Sequence, residues 1–312
     1  MSQKEQKIKI VYVLSAAYSG STLLGLALGK HSKITNLGEV INLESDYAEQ
    51  TRCTCKESLS ACPFWLSVKN SVERQSEKRL SFNLSRSGKR EHLDRRGGWQ
   101  KIQLLLGRRL ESTYGEAYIT RYRMKNENFF ASVLQGHSDA HYLVDLSKSA
   151  ERLDILLSSN KLDVWCIYLR RDPIKVYAST VKRPKRTRRF LGPKSLREAV
   201  WLRARTKDME RAFARVPDSK KINVDFSDFM DNPQSTLDTV LEQLNLESYP
   251  AETDNSGKFV IDPSKQHVYV GNRWLFDPKL AHVSIRERSD TSQLSFFQKL
   301  VFKSVWWRFK TL

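Results

Sequence analysis

The segment Ser15 to Thr22 reads Ser-Ala-Ala-Tyr-Ser-Gly-Ser-Thr, a turn rich in small hydroxyl residues around one glycine. It follows Ile8 to Leu14, IKIVYVL, whose β-branched and mostly apolar run predicts a strand buried on both faces of a parallel sheet. It precedes Leu23, Leu24, Leu26, Ala27 and Leu28, which predict a helix lying with its apolar face on that sheet. A strand, a glycine turn and a helix in that order present unpaired backbone N–H groups and the positive end of the helix dipole, which together bind anions. The spacing approximates the phosphate loop G-x-x-x-x-G-K-[ST], with Ser15 for the first glycine and Ser21 for the lysine. Loss of that lysine argues against an ordinary nucleoside triphosphatase. The hydroxyls of Ser19, Ser21 and Thr22 remain as phosphate donors, and no metal ion is required in the reaction.

Other elements must place this turn. Tyr142 to Val144 reads as a strand, Ser147 to Leu157 as a helix, and Val164 to Leu169 as a second strand, a βαβ order. Arg170-Arg171-Asp172-Pro173 then opens a helix, with Asp172 as its N-cap and Pro173 at its first position. Lys221 to Phe226 reads as a further strand, and Ser235 to Leu246 as an amphipathic helix with Leu237, Val240, Leu241 and Leu244 on one face. The expected fold is therefore α/β, a three-layer arrangement of the P-loop type with a central parallel sheet, formed by a single domain over residues 1–312.

Composition bounds the partners. The chain has 312 residues and 40% hydrophobic content, enough for a sizeable core and too much for global disorder. Its 53 Lys and Arg against 35 Asp and Glu leave a formal charge of +18, which favours polyanions: nucleotide phosphates, nucleic acid, anionic glycans or acidic lipid. Met1 to Lys9 is short and charged and lacks the apolar stretch of a secretory signal, and no apolar run approaches the roughly 20 residues that span a bilayer. The expected location is cytoplasmic, with peripheral membrane contact open.

Tyr18-Ser19-Gly20-Ser21-Thr22 resembles the 5'-phosphosulfate loop, [KR]-S-G-[ST]-T, of sulfotransferases that use 3'-phosphoadenosine 5'-phosphosulfate (PAPS) as donor. In that family the 3'-phosphate is held by an arginine at a strand end and a serine eight residues later, the spacing of Arg171 and Ser179. Glu39, seventeen residues beyond Thr22, resembles the general base of tyrosylprotein sulfotransferases. Lys148, in Asp145-Leu146-Ser147-Lys148, matches an Asp-x-Ser-Lys segment of bacterial members, and the resemblance makes it the candidate for stabilising charge on the departing phosphate. Phe226-Ser227-Asp228-Phe229 with Asn232-Pro233 resembles the family's Tyr-Glu-Asp-Leu segment. Arg273, near Gly271, resembles a late cation that contacts the 3'-phosphate. Tyr18 departs from the family, which has lysine or arginine there, so Lys148, Arg170 or Arg171 must supply the cation, with the Tyr18 hydroxyl as a weaker donor.

The resemblance implies sulfuryl transfer to a hydroxyl acceptor, a carbohydrate or glycolipid by prevalence within the family. Two rivals stand beside it: a nucleotide or sugar kinase, and a non-enzymatic polyanion-binding protein. Nucleic acid is disfavoured because no nucleic-acid motif accompanies the charge. Residues 71–125, with Arg86, Lys89, Arg90, Arg95, Arg96, Lys101, Arg108 and Arg109, read as a basic helical insertion and the expected seat of acceptor specificity; Lys182 to Arg189 is a second basic stretch. The tail, about 291–312, reads as a basic aromatic helix that either meets an anionic membrane or packs on the domain. Cys53, Cys55 and Cys62, spaced C-x-C-x6-C, lack a fourth metal ligand nearby unless His31 folds back, and are expected to be structural or incidental.

Overall fold

The alternation of buried side chains along the first strand sets the architecture. In β1 (Ile8–Ser15) Ile10, Tyr12 and Leu14 face one hydrophobic cluster while Val11 and Val13 face another, as the two-residue period of a strand requires. The computed structural model describes residues 6–43, 46, 51–74, 115–136, 139–181, 194–252, 260–269 and 291–307. Over these, β1 is followed by α1 (Ser21–Leu28), β2 (Ile34–Asn36), α2 (Pro63–Arg74), α3 (Glu116–Gly136) and β3 (Tyr142–Asp145). Then come α4 (Ala150–Leu157), β4 (Leu162–Arg170), α5 (Pro173–Val181), α6 (Lys194–Ala214), β5 (Lys221–Asp225), α7 (Phe226–Asp231), α8 (Pro233–Gln243) and α9 (Phe296–Trp307).

The five strands form one sheet in the order β2-β3-β1-β4-β5, and every pairing is parallel. One face is covered by α2, α3, α4 and α6 through Trp65, Phe130, Leu153 and Met209, the other by α1, α7 and α8 through Leu24, Phe229 and Val240. This is the three-layer α/β arrangement of the P-loop type. Parallel strands put all their C-terminal ends on one edge of the sheet, where ligands bind in such folds. The segments leaving that edge are 16–22 after β1, 37–42 after β2, 146–149 after β3, Arg171 after β4 and α7 after β5.

Several boundaries differ from the sequence reading for physical reasons. β2 is only three residues long, too short to leave a periodic signal. Phe226 is not the last residue of a strand: Asp225 caps a helix there, its Oδ1 accepting from Ser227 N at 2.8 Å, and Phe226 is the first helical residue. The ends of the expected insertion are core helices, since Val72 of α2 and Ile119 and Tyr122 of α3 are buried; residues 75–114 between them, and Lys182 to Arg189, lie outside the described residues. The tail helix α9 packs on the domain. Phe302 lies 5.2 Å from the Tyr177 ring and 4.9 Å from Trp306, and the Arg203 guanidinium sits 5.3 Å over Trp306. Among the described residues no helix is long and apolar enough to cross a membrane.

Candidate functional site

The turn after β1 folds tightly because glycine stands at its apex. Gly20 has φ +83°, and a Cβ there would come 2.0 Å from Phe226 Cε2, so only glycine fits without displacing that ring. Its carbonyl accepts the first two helical bonds of α1, from Leu23 N at 2.9 Å and Leu24 N at 3.1 Å. Ser21 and Thr22 N–H therefore point out of the helix start as donors. Tyr18 also adopts a left-handed conformation, φ 65°, which is costly for a residue with a side chain and marks a backbone held in shape by its surroundings. Ser19, Ser21 and Thr22 are buried, and Ser15 Oγ, also buried, has no hydrogen-bond partner among the described residues. A buried orphan hydroxyl at the end of β1, in the same turn as a helix start whose N–H groups point outward, suits an anionic ligand that accepts hydrogen bonds.

Arg171 closes this turn from β4. Its Nη1 donates to Tyr18 O, and its guanidinium lies 4.6 Å from the centre of the Phe226 ring. Phe226 thus touches both Gly20 and Arg171, a linking role that the sequence did not signal. Asp172 caps α5 as expected, Oδ1 accepting from Ile174 N at 3.0 Å. Ser179, two turns along α5, donates its hydroxyl to Lys175 O at 3.0 Å. Arg273 lies outside the described residues.

The second half of the site lies after β2 and β3. Glu39 precedes a 3-10 turn, Val40–Asn42, and its carboxylate is held at both oxygens: Lys148 Nζ lies 2.5 Å from Oε1, and Asn42 Nδ2 donates to Oε2 at 3.1 Å. The structure therefore brings the two candidate catalytic residues, 109 positions apart, into one ion pair. Lys148 has φ 61°, a strained shape fixed by its neighbours. Asp145 Oδ1 accepts from Ser147 N at 2.9 Å, Ser147 Oγ accepts from Ile41 N at 3.1 Å, and Tyr12 Oη exchanges 2.8 Å hydrogen bonds with Ser149.

Beneath them lies a buried ion pair that sequence reasoning missed. Arg152 Nε and Nη2 both lie 2.8 Å from Asp145 Oδ2, and Nη1 donates to Tyr122 Oη at 2.8 Å. Burial alone would lower the Arg152 pKa, but Asp145, Tyr122 and Tyr12 outweigh it and raise it, so the guanidinium stays charged. Burial, and then the Asp145 charge, push Tyr12 well above its usual value. Tyr269, raised by burial and by the carboxylates of Asp46, Asp145 and Glu39, places its hydroxyl 3.4 Å from Glu39 O. An arginine on α4 seven residues past the aspartate gives no sequence signal beyond ordinary helix polarity.

A parallel sheet carries at one edge a glycine turn without a lysine, an arginine bonded to that turn, and a carboxylate paired with a lysine. The model of the sulfotransferase family matches residues 11–251. The chain belongs to the sulfotransferase family. The solved structures similar to it include three sulfotransferases. The sulfotransferase domain of the Synechococcus PCC 7002 olefin synthase has 17% identity and a TM-score of 0.48, with 100% of this chain and 98% of that one covered. The sulfotransferase domain from the curacin biosynthetic pathway has 16% identity and a TM-score of 0.44, covering 91% and 95%. Sulfotransferase STF9 from Mycobacterium avium has 14% identity and a TM-score of 0.46, covering 98% and 78%. No curated protein sequence matches this chain.

Proposed function

We propose that the protein transfers a sulfuryl group from PAPS to a hydroxyl of a carbohydrate or glycolipid. The observation that carries this reading is the bond from Arg171 to Tyr18 O, which joins the element matched to the 3'-phosphate with the loop matched to the 5'-phosphosulfate. Ser19, Gly20, Ser21 and Thr22, with the start of α1 and Ser15 Oγ, hold the 5' end. Arg171, Ser179 and Arg273 hold the 3'-phosphate, with Ser179 turning its hydroxyl from Lys175 O toward the ligand. PAPS supplies the sulfuryl group, and 3'-phosphoadenosine 5'-phosphate leaves with the electron pair of the broken sulfur–oxygen bond.

Glu39 takes the proton of the acceptor hydroxyl as its oxygen bonds to sulfur, which avoids positive charge on that oxygen. Lys148 and Asn42 hold the carboxylate in one orientation, and the Lys148 ammonium offsets negative charge that accumulates during transfer. Arg171 stands in for the cation missing at Tyr18, being bonded to that residue's carbonyl. The exposed Phe296, Phe297 and Leu300 of α9, beside Lys299 and Lys303, support an acceptor or partner presented at an anionic lipid surface.

Calorimetry with 3'-phosphoadenosine 5'-phosphate and with ATP tests the donor. Tight binding of the first and weak binding of the second is expected. Preference for ATP would favour a kinase, and binding of neither would favour a polyanion-binding protein; either result overturns the proposal.

A further inference from the structure

The sequence reading found no fourth ligand for Cys53, Cys55 and Cys62 and considered only His31. His31 is engaged elsewhere: its Nδ1 accepts from Lys33 N at 3.0 Å and its Nε2 lies 3.1 Å from Glu247 O. The partner is His267, 205 positions beyond Cys62. Its Nδ1 lies 3.3 Å from Cys62 Sγ and 4.0 Å from Cys53 Sγ. Cys62 Sγ lies 3.7 Å from Cys53 Sγ and 3.6 Å from Cys55 Sγ, and the four ligand atoms all lie within 4.8 Å of one another.

Those separations discriminate between chemistries. A disulfide needs sulfurs about 2.05 Å apart, and none of the cysteines is bridged. A tetrahedral zinc ion, with Zn–S of about 2.3 Å and Zn–N of about 2.0–2.1 Å, requires roughly 3.8 Å between sulfurs and roughly 3.6 Å between sulfur and nitrogen. The sulfur–sulfur separations of 3.7 and 3.6 Å fall just short of the first value, and the sulfur–nitrogen separations of 3.3 and 4.0 Å lie on either side of the second. We propose that Cys53, Cys55, Cys62 and His267 form a structural zinc site.

The surroundings are those of a metal knuckle rather than of three incidental thiols. Lys56, at φ 78°, makes the tight turn that follows the first two ligands, its N–H bonding Cys53 O at 2.9 Å. His267 is fixed from two sides: its ring stacks on Phe64 with centroids 5.2 Å apart and planes 6° from parallel, and its carbonyl accepts from Trp65 Nε1 at 2.8 Å. Three thiolates and one imidazole select zinc among the common divalent ions, and four protein ligands leave no open position for catalysis.

The site has a structural purpose beside the reacting groups. It ties residues 53–62 to the segment 266–269, which backs the glutamate turn. A Cβ on Gly38, at φ +69°, would come 3.3 Å from Val268 Cγ1 and 3.4 Å from Tyr269 O, and Tyr269 Oη reaches Glu39 O. Neither segment has a long strand or helix to hold it there. A metal that crosslinks them supplies folding energy where secondary structure does not.

The test is the metal content of the full-length protein, purified reduced and without chelator. One zinc per chain is expected by elemental mass spectrometry, and replacement by cobalt gives the visible d–d absorption of tetrahedral thiolate ligation. Cys55→Ser and His267→Ala, at the two half-exposed ligands, lose the metal, and a strong chelator lowers the Tm of the wild type. Should these variants not fold, mercurial titration of the wild type still decides, because zinc is released in step with modification of the three thiols. Wild type that neither carries nor takes up zinc, iron in its place, a disulfide among these cysteines, or full zinc retention in a folded variant lacking all three overturns the proposal. None of these readouts depends on sulfuryl transfer.

Discussion

The two halves of the site are built differently. The loop half, Tyr18 to Thr22, sits between two adjacent elements and takes its shape from one glycine and the helix that follows. The glutamate half is assembled from residues 37–42, 53–62, 145–152 and 266–269, which bond one another across the fold. A local site depends on turn chemistry, whereas an assembled one depends on buried long-range bonds, so the two should fail in different ways when mutated.

The largest expected effect is on turnover. Glu39→Gln keeps the shape of the side chain and removes its ability to take a proton, so turnover falls by about 10²- to 10⁴-fold, while binding of 3'-phosphoadenosine 5'-phosphate, read by calorimetry, stays near wild type. Unchanged turnover removes Glu39 as base. Arg152→Ala should damage the assembled half through stability: it strands Asp145, which is 0% exposed, as a buried unpaired charge, at a cost of about 3–5 kcal/mol in denaturant unfolding. A loss under ~1 kcal/mol would mean that the pair does not hold this half together.

Arg171→Ala tests the joint between nucleotide elements. Losing charge-assisted hydrogen bonds worth about 1.5–3 kcal/mol weakens 3'-phosphorylated nucleotide by roughly 10- to 100-fold, and weakens a nucleotide without that phosphate less, through the loop alone; equal weakening of both would deny the clamp. Gly20→Ala should lower stability by about 1–3 kcal/mol through its left-handed backbone, with nucleotide affinity falling in parallel as Phe226 is pushed aside. The smallest effect is expected from Asn42→Ala, which removes one hydrogen bond to Glu39 and costs about 0.5–1.5 kcal/mol of transition-state stabilisation in kcat/KM.

Much of the sheet was legible because β1, β3 and β4 are buried on both faces and read as apolar runs, and because Asp172-Pro173 carries its own capping chemistry. β2 was not, since three residues, Ile-Thr-Asn, hold no period. Phe226 reads as the end of a strand because its apolar side chain suits either state, and only Asp225, capping the next turn, decides for the helix.

By itself the sequence determined what depends on near neighbours: the parallel α/β order, the lysine-free phosphate loop, and the eight-residue step from Arg171 to Ser179. Tertiary structure alone decided that Lys148 meets Glu39, that Arg152 neutralises Asp145 beneath them, that Arg171 grips the Tyr18 carbonyl, and that His267 completes the three cysteines. Each of these joins side chains from separate elements across the folded core. Such pairings are fixed by packing geometry, which leaves no regular spacing in the chain.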